Sequence, residues 1–331
     1  MKYKGLLLLL CILSSHAFSQ SVQELAETAR TFTRQRDYAN AILVLNRAVS
    51  IAPNDHTLQR DLAYNYNLQG DIKKAREIIM PLTDKPDADE ITFQVAGNII
   101  KSFEDVKEVD KLYKKALKKF PESGPLNSEY GEWLYAKQDF SAIKYWEKGI
   151  QSAPSYPMNY YHAAKYYYFT TEKVWGLIYG EIFVNLESFS ARTAEVKNML
   201  LEGYKKLFVE TDLTKFANKN AFAEAYLSAM QQQTSLVTKG IHPDVLSMIR
   251  TRFILQWYHT NEQKFPFRLF DYHRQLLREG LFEAYNQWIF GAADNLDQYQ
   301  RWTQTHAKEA ADFTKFQRGR VFKVPEGQYY K

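Results

Sequence analysis

The sequence predicts an all-α chain: an α-α superhelical solenoid followed by an aromatic-rich helical C-terminal region. Three observations predict it. Asp37, Asp71, Asp105 and Asp139 recur every 34 residues, each followed by an apolar residue, Tyr38, Ile72, Val106 or Phe140. Eight residues before each aspartate stands a small one, Ala29, Ala63, Gly97 or Gly131, and between them runs an apolar ladder of Phe32, Tyr66, Ile100 and Leu134. Gly (14) and Pro (10) are scarce in 331 residues, which argues against an all-β or low-complexity chain. A fixed period built from two helical patterns marks a helix–turn–helix array.

Residues 1–19 read as a cleavable signal peptide. Lys2 and Lys4 precede an apolar run from Gly5 to Leu13, and Ala17 and Ser19 place small side chains at a cut before Gln20. The run is too short for a permanent anchor. Cys11, the single cysteine, would leave with it, so the mature chain is expected to hold no disulfide. Its position inside the apolar run also disfavours a lipoprotein. Removal takes Lys+Arg from 43 to 41 against 38 acids, a net of +3, too weak to imply nucleic acid. No other stretch approaches a spanning length, so no transmembrane segment is expected.

The first unit, about 22–55, carries Leu25, Ala29 and Phe32 on one helix, Ala41, Leu45 and Ala48 on the next, and closes at Pro53. The second, about 56–89, has Leu62, Ala63 and Tyr66, the turn Gly70-Asp71, then Ala75 and Ile79. The third, about 90–123, has Phe93, Gly97 and Ile100, then Val109, Tyr113 and Ala116, ending at Pro121. The fourth, about 124–155, has Tyr130, Gly131 and Leu134, then Ala142, Ile143 and Trp146, ending at Pro154, and its register slips by one residue in the second half. Small residues let paired helices approach, larger ones fill the space between, the aspartate caps the second helix, and proline stops it.

These residues resemble the tetratricopeptide repeat (TPR) family. The resemblance covers four units over 22–155, with a degenerate fifth over 156–190 built on Tyr160, Ala163, Ala164 and Tyr167, then Gly176, Gly180 and Phe183. Lys173 stands where that unit's aspartate would fall. Over 191–331 the period is lost while helical patterning persists, with helices expected at 191–210, 219–237, 242–260, 267–290 and 295–317. This aromatic-dense region is either a large cap for the array or a partner-docking domain. The tail from Arg318 to Lys331 breaks helix and is free to lie extended along a neighbour.

The resemblance implies a ligand-binding groove on the first helices. Matched unit by unit, its residues are Arg30 and Arg34, then Arg60, Tyr64 and Asn67, then Gln94, Asn98 and Lys101, then Glu132 and Tyr135, then Tyr161, His162, Lys165 and Tyr168. Asparagine can hold an extended peptide backbone, and the cations can take a carboxylate. The Lys/Asn set by which some members grip a terminal carboxylate is not reproduced. Tyr160 to Phe169 places aromatics on every side of one helix, so some must cover a neighbour or a ligand.

No catalytic constellation stands out. His56, His162, His242, His259, His273 and His306 form no pair four apart, and Asp271 and His273 are two apart and would diverge on a helix. There is no phosphate loop and no Gly-x-Ser-x-Gly. No cofactor and no metal are expected. The lysines 111, 114, 115, 118 and 119 alternate with apolar residues and read as the wet face of a helix. The expected function is a non-enzymatic exported scaffold that binds a protein or peptide, its setting the periplasm, peripheral to the outer membrane, and its partners subunits of an envelope, outer-membrane or secretion assembly. The alternative is a glycan- or peptidoglycan-binding module using aromatic faces.

Overall fold

The computed structural model describes residues 21–103 and 105–331; the expected signal peptide lies outside them. Every regular element among them is helical, and successive helices pack in adjacent pairs. The chain divides into two compact units that meet at Phe120 and Pro121. The division falls after the third hairpin, not after residue 155 where the period weakens.

The first unit holds three hairpins: α1 (Val22–Arg34) with α2 (Tyr38–Ile51), α3 (His56–Gln69) with α4 (Ile72–Leu82), and α5 (Glu90–Ile100) with α6 (Val106–Lys119). The 34-residue period has a backbone cause. Arg36, Gly70 and Gln138 share a positive φ of 63°, 94° and 62°. The following amides, Asp37, Asp71 and Asp139, bond back to the carbonyls of Phe32, Tyr66 and Leu134, each at 2.9 Å. This left-handed stop ends one helix and turns the chain into the next. The aspartate then caps that next helix: Asp37, Asp71 and Asp105 accept from the amides of Asn40, Lys74 and Glu108 at 3.2, 3.0 and 3.1 Å. Closure is equally regular. Ala52, Phe120 and Ala153 adopt φ/ψ near −126°/72°, −127°/68° and −135°/65°, each before a proline that excludes the helical conformation from the residue preceding it.

Small residues sit where helices touch. Ala29 and Ala63 are buried, and a Cβ added at Gly97 would collide with the phenol of Tyr113. The lysine-rich face of α6 is exposed as its spacing predicts, though Lys115 reaches Asp84 (2.5 Å) and Lys119 donates to the carbonyls of Pro86 and Ala88.

The second unit begins with α7 (Gly124–Ala136) and α8 (Ala142–Ser152), then α9 (Pro157–Tyr168) and α10 (Lys173–Leu186). Here the cap slips. Asp139 accepts from the amide of Ser141 at 2.9 Å, and α8 starts behind Ser141, which makes no cap bond. A side chain at Gly131 would meet the indole of Trp146, which donates to the Ser128 carbonyl at 3.2 Å. The fourth and fifth hairpins are tied together: His162 stacks on Trp146 (5.2 Å, 13°), and buried Asn159 donates to the Gly124 carbonyl at 3.0 Å. Glu172 stands at the N-cap of α10 without a side-chain cap bond, yet Glu187 closes that helix at −127°/87°, the proline-closed geometry without the proline.

Beyond follow α11 (Ala191–Leu207), α12 (Ala221–Gln231), α13 (Pro243–Thr260), α14 (Arg268–Arg278), α15 (Phe282–Asn286), α16 (Leu296–Thr305) and α17 (Ala307–Gly319). The helix expected over 267–290 breaks at Gly280, whose φ of 69° and the 2.8 Å bond from Leu281 N to the Leu276 carbonyl form another left-handed stop. The one expected over 295–317 breaks at His306, whose ring stacks on Trp302 at 4.9 Å. A π-helical turn over Gln287–Gly291 extends α15. Most aromatics of this region are core: Phe222, Phe253, Trp257, Phe265, Phe267 and Phe270 are all buried in mutual ring contact, while Trp288, Tyr299, Trp302 and Phe316 are half-buried.

The tail folds back on its own unit. Phe322 and Val324 are buried in extended alternation. The Gln328 side chain accepts from the Arg268 amide at 2.6 Å. Tyr330 stacks on Phe222 (4.8 Å, 10°) and donates to the Pro266 carbonyl at 2.7 Å, and Lys331 pairs with Glu172 at 2.7 Å.

Candidate functional site

The residues expected along the groove divide between the two units. Arg30, Arg60, Tyr64, Asn67, Asn98 and Lys101 belong to the first, and Tyr135, Tyr161, Lys165 and Tyr168 to the second.

In the first unit a pocket of about 340 Å³ opens between α1 and α3. Ala29 and Leu45 give it an apolar floor, and Arg30, Thr33, Arg34, Asp61, Tyr64 and Asn65 line it. The wall is held from behind. Thr33 Oγ1 donates to Asn65 Oδ1 at 2.8 Å, and Asn65 Nδ2 donates to the Asp61 carbonyl at 2.8 Å. Asp61 lies 3.9 Å from Arg30 and 3.7 Å from Arg60. Burial pushes its carboxyl above the usual range, against the pull of Arg60 and then Arg30. Tyr64 stays 40% exposed. The site offers two guanidinium groups, a carboxylate and a phenol over an apolar base, which suits an extended chain with polar or acidic side chains.

Two other predicted residues are turned inward to the fold. Arg60 donates to Asp89 at 2.6 Å, reaching the N-cap of α5. Lys101 sits in a 3-10 turn with its ammonium 5.2 Å from the Tyr113 ring. Asn67 is half-buried at the end of α3, and Asn98 is exposed on α5. Asn65 and Asp61 were not among the expected residues. Their signal was their place on the same helix turn as Tyr64.

In the second unit Tyr161 is only 9% exposed. Its hydroxyl donates to Glu195 at 2.6 Å and accepts from Lys165 at 3.1 Å, while Lys165 pairs with Glu195 at 2.7 Å. Burial disfavours both charges, but the bonds outweigh it: Lys165 is raised and Glu195 lowered from their usual values. Tyr161 and Lys165 therefore fasten α9 to α11. Tyr135 is 41% exposed and joins a ring cluster with Phe140, Trp146 and Tyr166. Tyr168 is half-buried under the ammonium of Lys206, 3.8 Å from its ring.

A separate polar cluster lies at the heart of this unit. Glu181 of α10 accepts from Arg250 of α13, from His273 of α14 at 2.8 Å and from the Tyr285 hydroxyl of α15 at 2.8 Å, all on one oxygen. Arg250 also donates to Asn286, and Asn185 links Tyr285 to Arg320 of the tail at 2.7 and 2.8 Å. Burial alone would raise the Glu181 carboxyl. Arg250 and His273 overcome it and hold the pKa down to about 2. Burial holds His273 below its ordinary value against the pull of Glu181, whose carboxylate accepts from its Nε2–H. Apart from half-buried Arg320, these side chains are buried and the adjoining void is about 10 Å³, so the cluster has no room for a substrate. The signal for it was legible: Glu181 is the one acid in the apolar run Val174–Val184, and a buried charge requires a partner.

Among the described residues, no group of three or more His, Cys, Asp and Glu side chains is placed to hold a metal ion, and no helix is long and apolar enough to cross a membrane. No protein-family model matches the chain, and no curated protein matches it.

Proposed function

We propose that the chain is a non-enzymatic scaffold of the TPR class, exported to the periplasm, which binds a protein or peptide of an envelope assembly. The observation that carries this reading is the pocket between α1 and α3, where Arg30, Arg34 and Tyr64 stand over an apolar floor. The left-handed turn common to three of the five hairpins and the closing geometry common to four support the repeat assignment. The ligand class follows from the wall: guanidinium groups for carboxylates, a phenol for packing, and Asp61 to reject a bare acidic surface.

The glycan alternative needs ring faces open to solvent, and Trp133, Trp146, Trp175 and Trp257 are buried. The test is affinity capture from native envelope with the chain from Gln20 onward, followed by direct titration of the captured protein. Tyr64→Ala and Arg30→Ala are expected to weaken the measured affinity about tenfold or more, with the helical circular dichroism unchanged. Affinity in both variants equal to that of the unaltered chain sinks the reading.

A further inference from the structure

The second unit carries, along one edge, a set of exposed apolar tips and uncompensated cations that the groove reading does not use. The tips come from three successive places where a first helix ends: Phe140 after α7, Phe169 after α9 and Val209 after α11, exposed by 59%, 76% and 79%. They lie on the same edge. The Phe140 ring is 6.5 Å from Tyr166 near the end of α9, Phe169 is 5.0 Å from Tyr168, and Lys206, three residues before Val209, lies over that same Tyr168 ring.

Three lysines stand among the tips. Lys137 lies 4.6 Å over the Trp133 ring, Lys173 donates to the Tyr168 carbonyl at 3.3 Å, and Lys206 covers Tyr168 at 3.8 Å. No ion pair among the described residues joins any of them to a carboxylate. The nearby acids are engaged elsewhere: Glu172 pairs with Lys331 and Glu210 with Lys215, and Asp139 and Asp212 accept from the amides of Ser141 and Thr214. Lys173 also sits in the first turn of α10, where the helix dipole opposes a cation. Burial and then the charge of Lys206 lower its pKa, as expected of two ammonium groups without a counter-ion.

We propose that this edge is a docking surface for an anionic lipid bilayer, with headgroup phosphates between the lysines and Phe140, Phe169 and Val209 entering the headgroup–acyl boundary. Lys137 and Lys206 are exposed with their ammonium groups resting on ring faces and held by no carboxylate among the described residues, which leaves them open to a phosphate. Isolated apolar tips on turns, in place of a continuous apolar face, fit shallow insertion better than a packed protein interface. The inference does not rest on the groove reading, since none of these residues lines the pocket between α1 and α3.

The test is vesicle co-sedimentation of the chain from Gln20 onward, which contains every described residue. Vesicles with phosphatidylglycerol should pellet the protein, neutral phosphatidylcholine vesicles should not, and added salt should release it. Lys173→Gln with Lys206→Gln should reduce partitioning by roughly tenfold or more, and Phe169→Ser with Val209→Ser should do so without altering the salt response. All four positions lie at an edge, and the single change Phe169→Ser serves as a second variant should a pair unfold. No preference for anionic vesicles overturns the proposal, as does binding by both variants equal to that of the unaltered chain. Inhibition by free glycerol phosphate with no vesicle pelleting would make the site a small-anion site. Variant-sensitive self-association without lipid would assign the edge to a second copy. Either result overturns the bilayer.

Discussion

The two units use the same element, the helical hairpin, and hold it together by different physics. In the first, neighbouring hairpins are joined at their rims by Arg60–Asp89, Arg76–Glu108 and Lys115–Asp84, and the core is mostly alanine and leucine. The most solvent-facing of them, Lys115–Asp84, is of the kind that contributes little, about 0–1 kcal/mol. In the second, stacked rings and the buried Glu181–Arg250–His273–Tyr285 cluster join residues about a hundred positions apart in sequence. A unit fastened at its rim can change surface residues freely and suits recognition. A unit fastened at its centre resists change there and suits support.

The sharpest way to break this contrast is to remove one central charge and one rim charge. Arg250→Met leaves Glu181 buried without its guanidinium partner, and about 3–5 kcal/mol of stability should be lost. Lys115→Met, which removes the solvent-facing pair with Asp84, should cost about 1 kcal/mol or less. All six tryptophans, at 133, 146, 175, 257, 288 and 302, lie in the second unit, so tryptophan fluorescence during denaturant unfolding reports that unit while circular dichroism reports both. Equal losses for the two variants would erase the distinction.

The same cluster predicts a pH response of the second unit. His273 is lowered from 6.5, so below that pH the unfolded chain binds a proton that the folded chain refuses, and stability falls. Glu181 is held to about 2 against 4.5, so its contribution is complete above 4.5 and is lost as pH drops from there towards 2. Both act in the same direction. The fluorescence midpoint in urea should decline from pH 7 to 5 and further to 3, and Glu181→Gln should flatten the lower step.

Much of the hairpin plan was legible because it is local. Asp37, Asp71 and Asp105 cap the helices their spacing placed, and Gly97 and Gly131 lie under Tyr113 and Trp146. What was not legible depends on residues brought together from afar. Arg250 looked like one more polar residue of α13, because nothing within its own helix reveals Glu181. Arg60 and Tyr161 matched groove positions by register, yet their neighbours across the fold, Asp89 and Glu195, decide where they turn. The left-handed backbone at Arg36 and Gln138 was hidden for another reason: only at Gly70 does the same turn carry the residue that announces it.

Contact between paired helices gives the next effect in size. Gly97→Leu in the first unit and Gly131→Leu in the second place a branched side chain where Tyr113 and Trp146 already lie, and about 1–3 kcal/mol should be lost in each. The ring-packed second unit has less freedom to yield, so Gly131→Leu should be the costlier, its fall in fluorescence midpoint larger than the fall that Gly97→Leu causes in the first unit's transition by circular dichroism. A smaller cost there than at Gly97 would show the aromatic core to be the softer of the two.

The smallest effect isolates the turn itself. Gly70 has a φ of 94°, and a Cβ added to it meets nothing within 4 Å. Gly70→Ala therefore changes no contact and charges the fold only for holding an L-residue in left-handed backbone, about 1 kcal/mol. Gln138 holds the equivalent place in the second unit with φ 62° and already carries that strain, so Gln138→Gly relieves it while giving the unfolded chain more freedom. The two changes should thus be opposite in sign, a fall in thermal midpoint for the first and a small rise or none for the second. A fall in both would mean that the Gln138 side chain contributes to its turn more than its backbone strain costs.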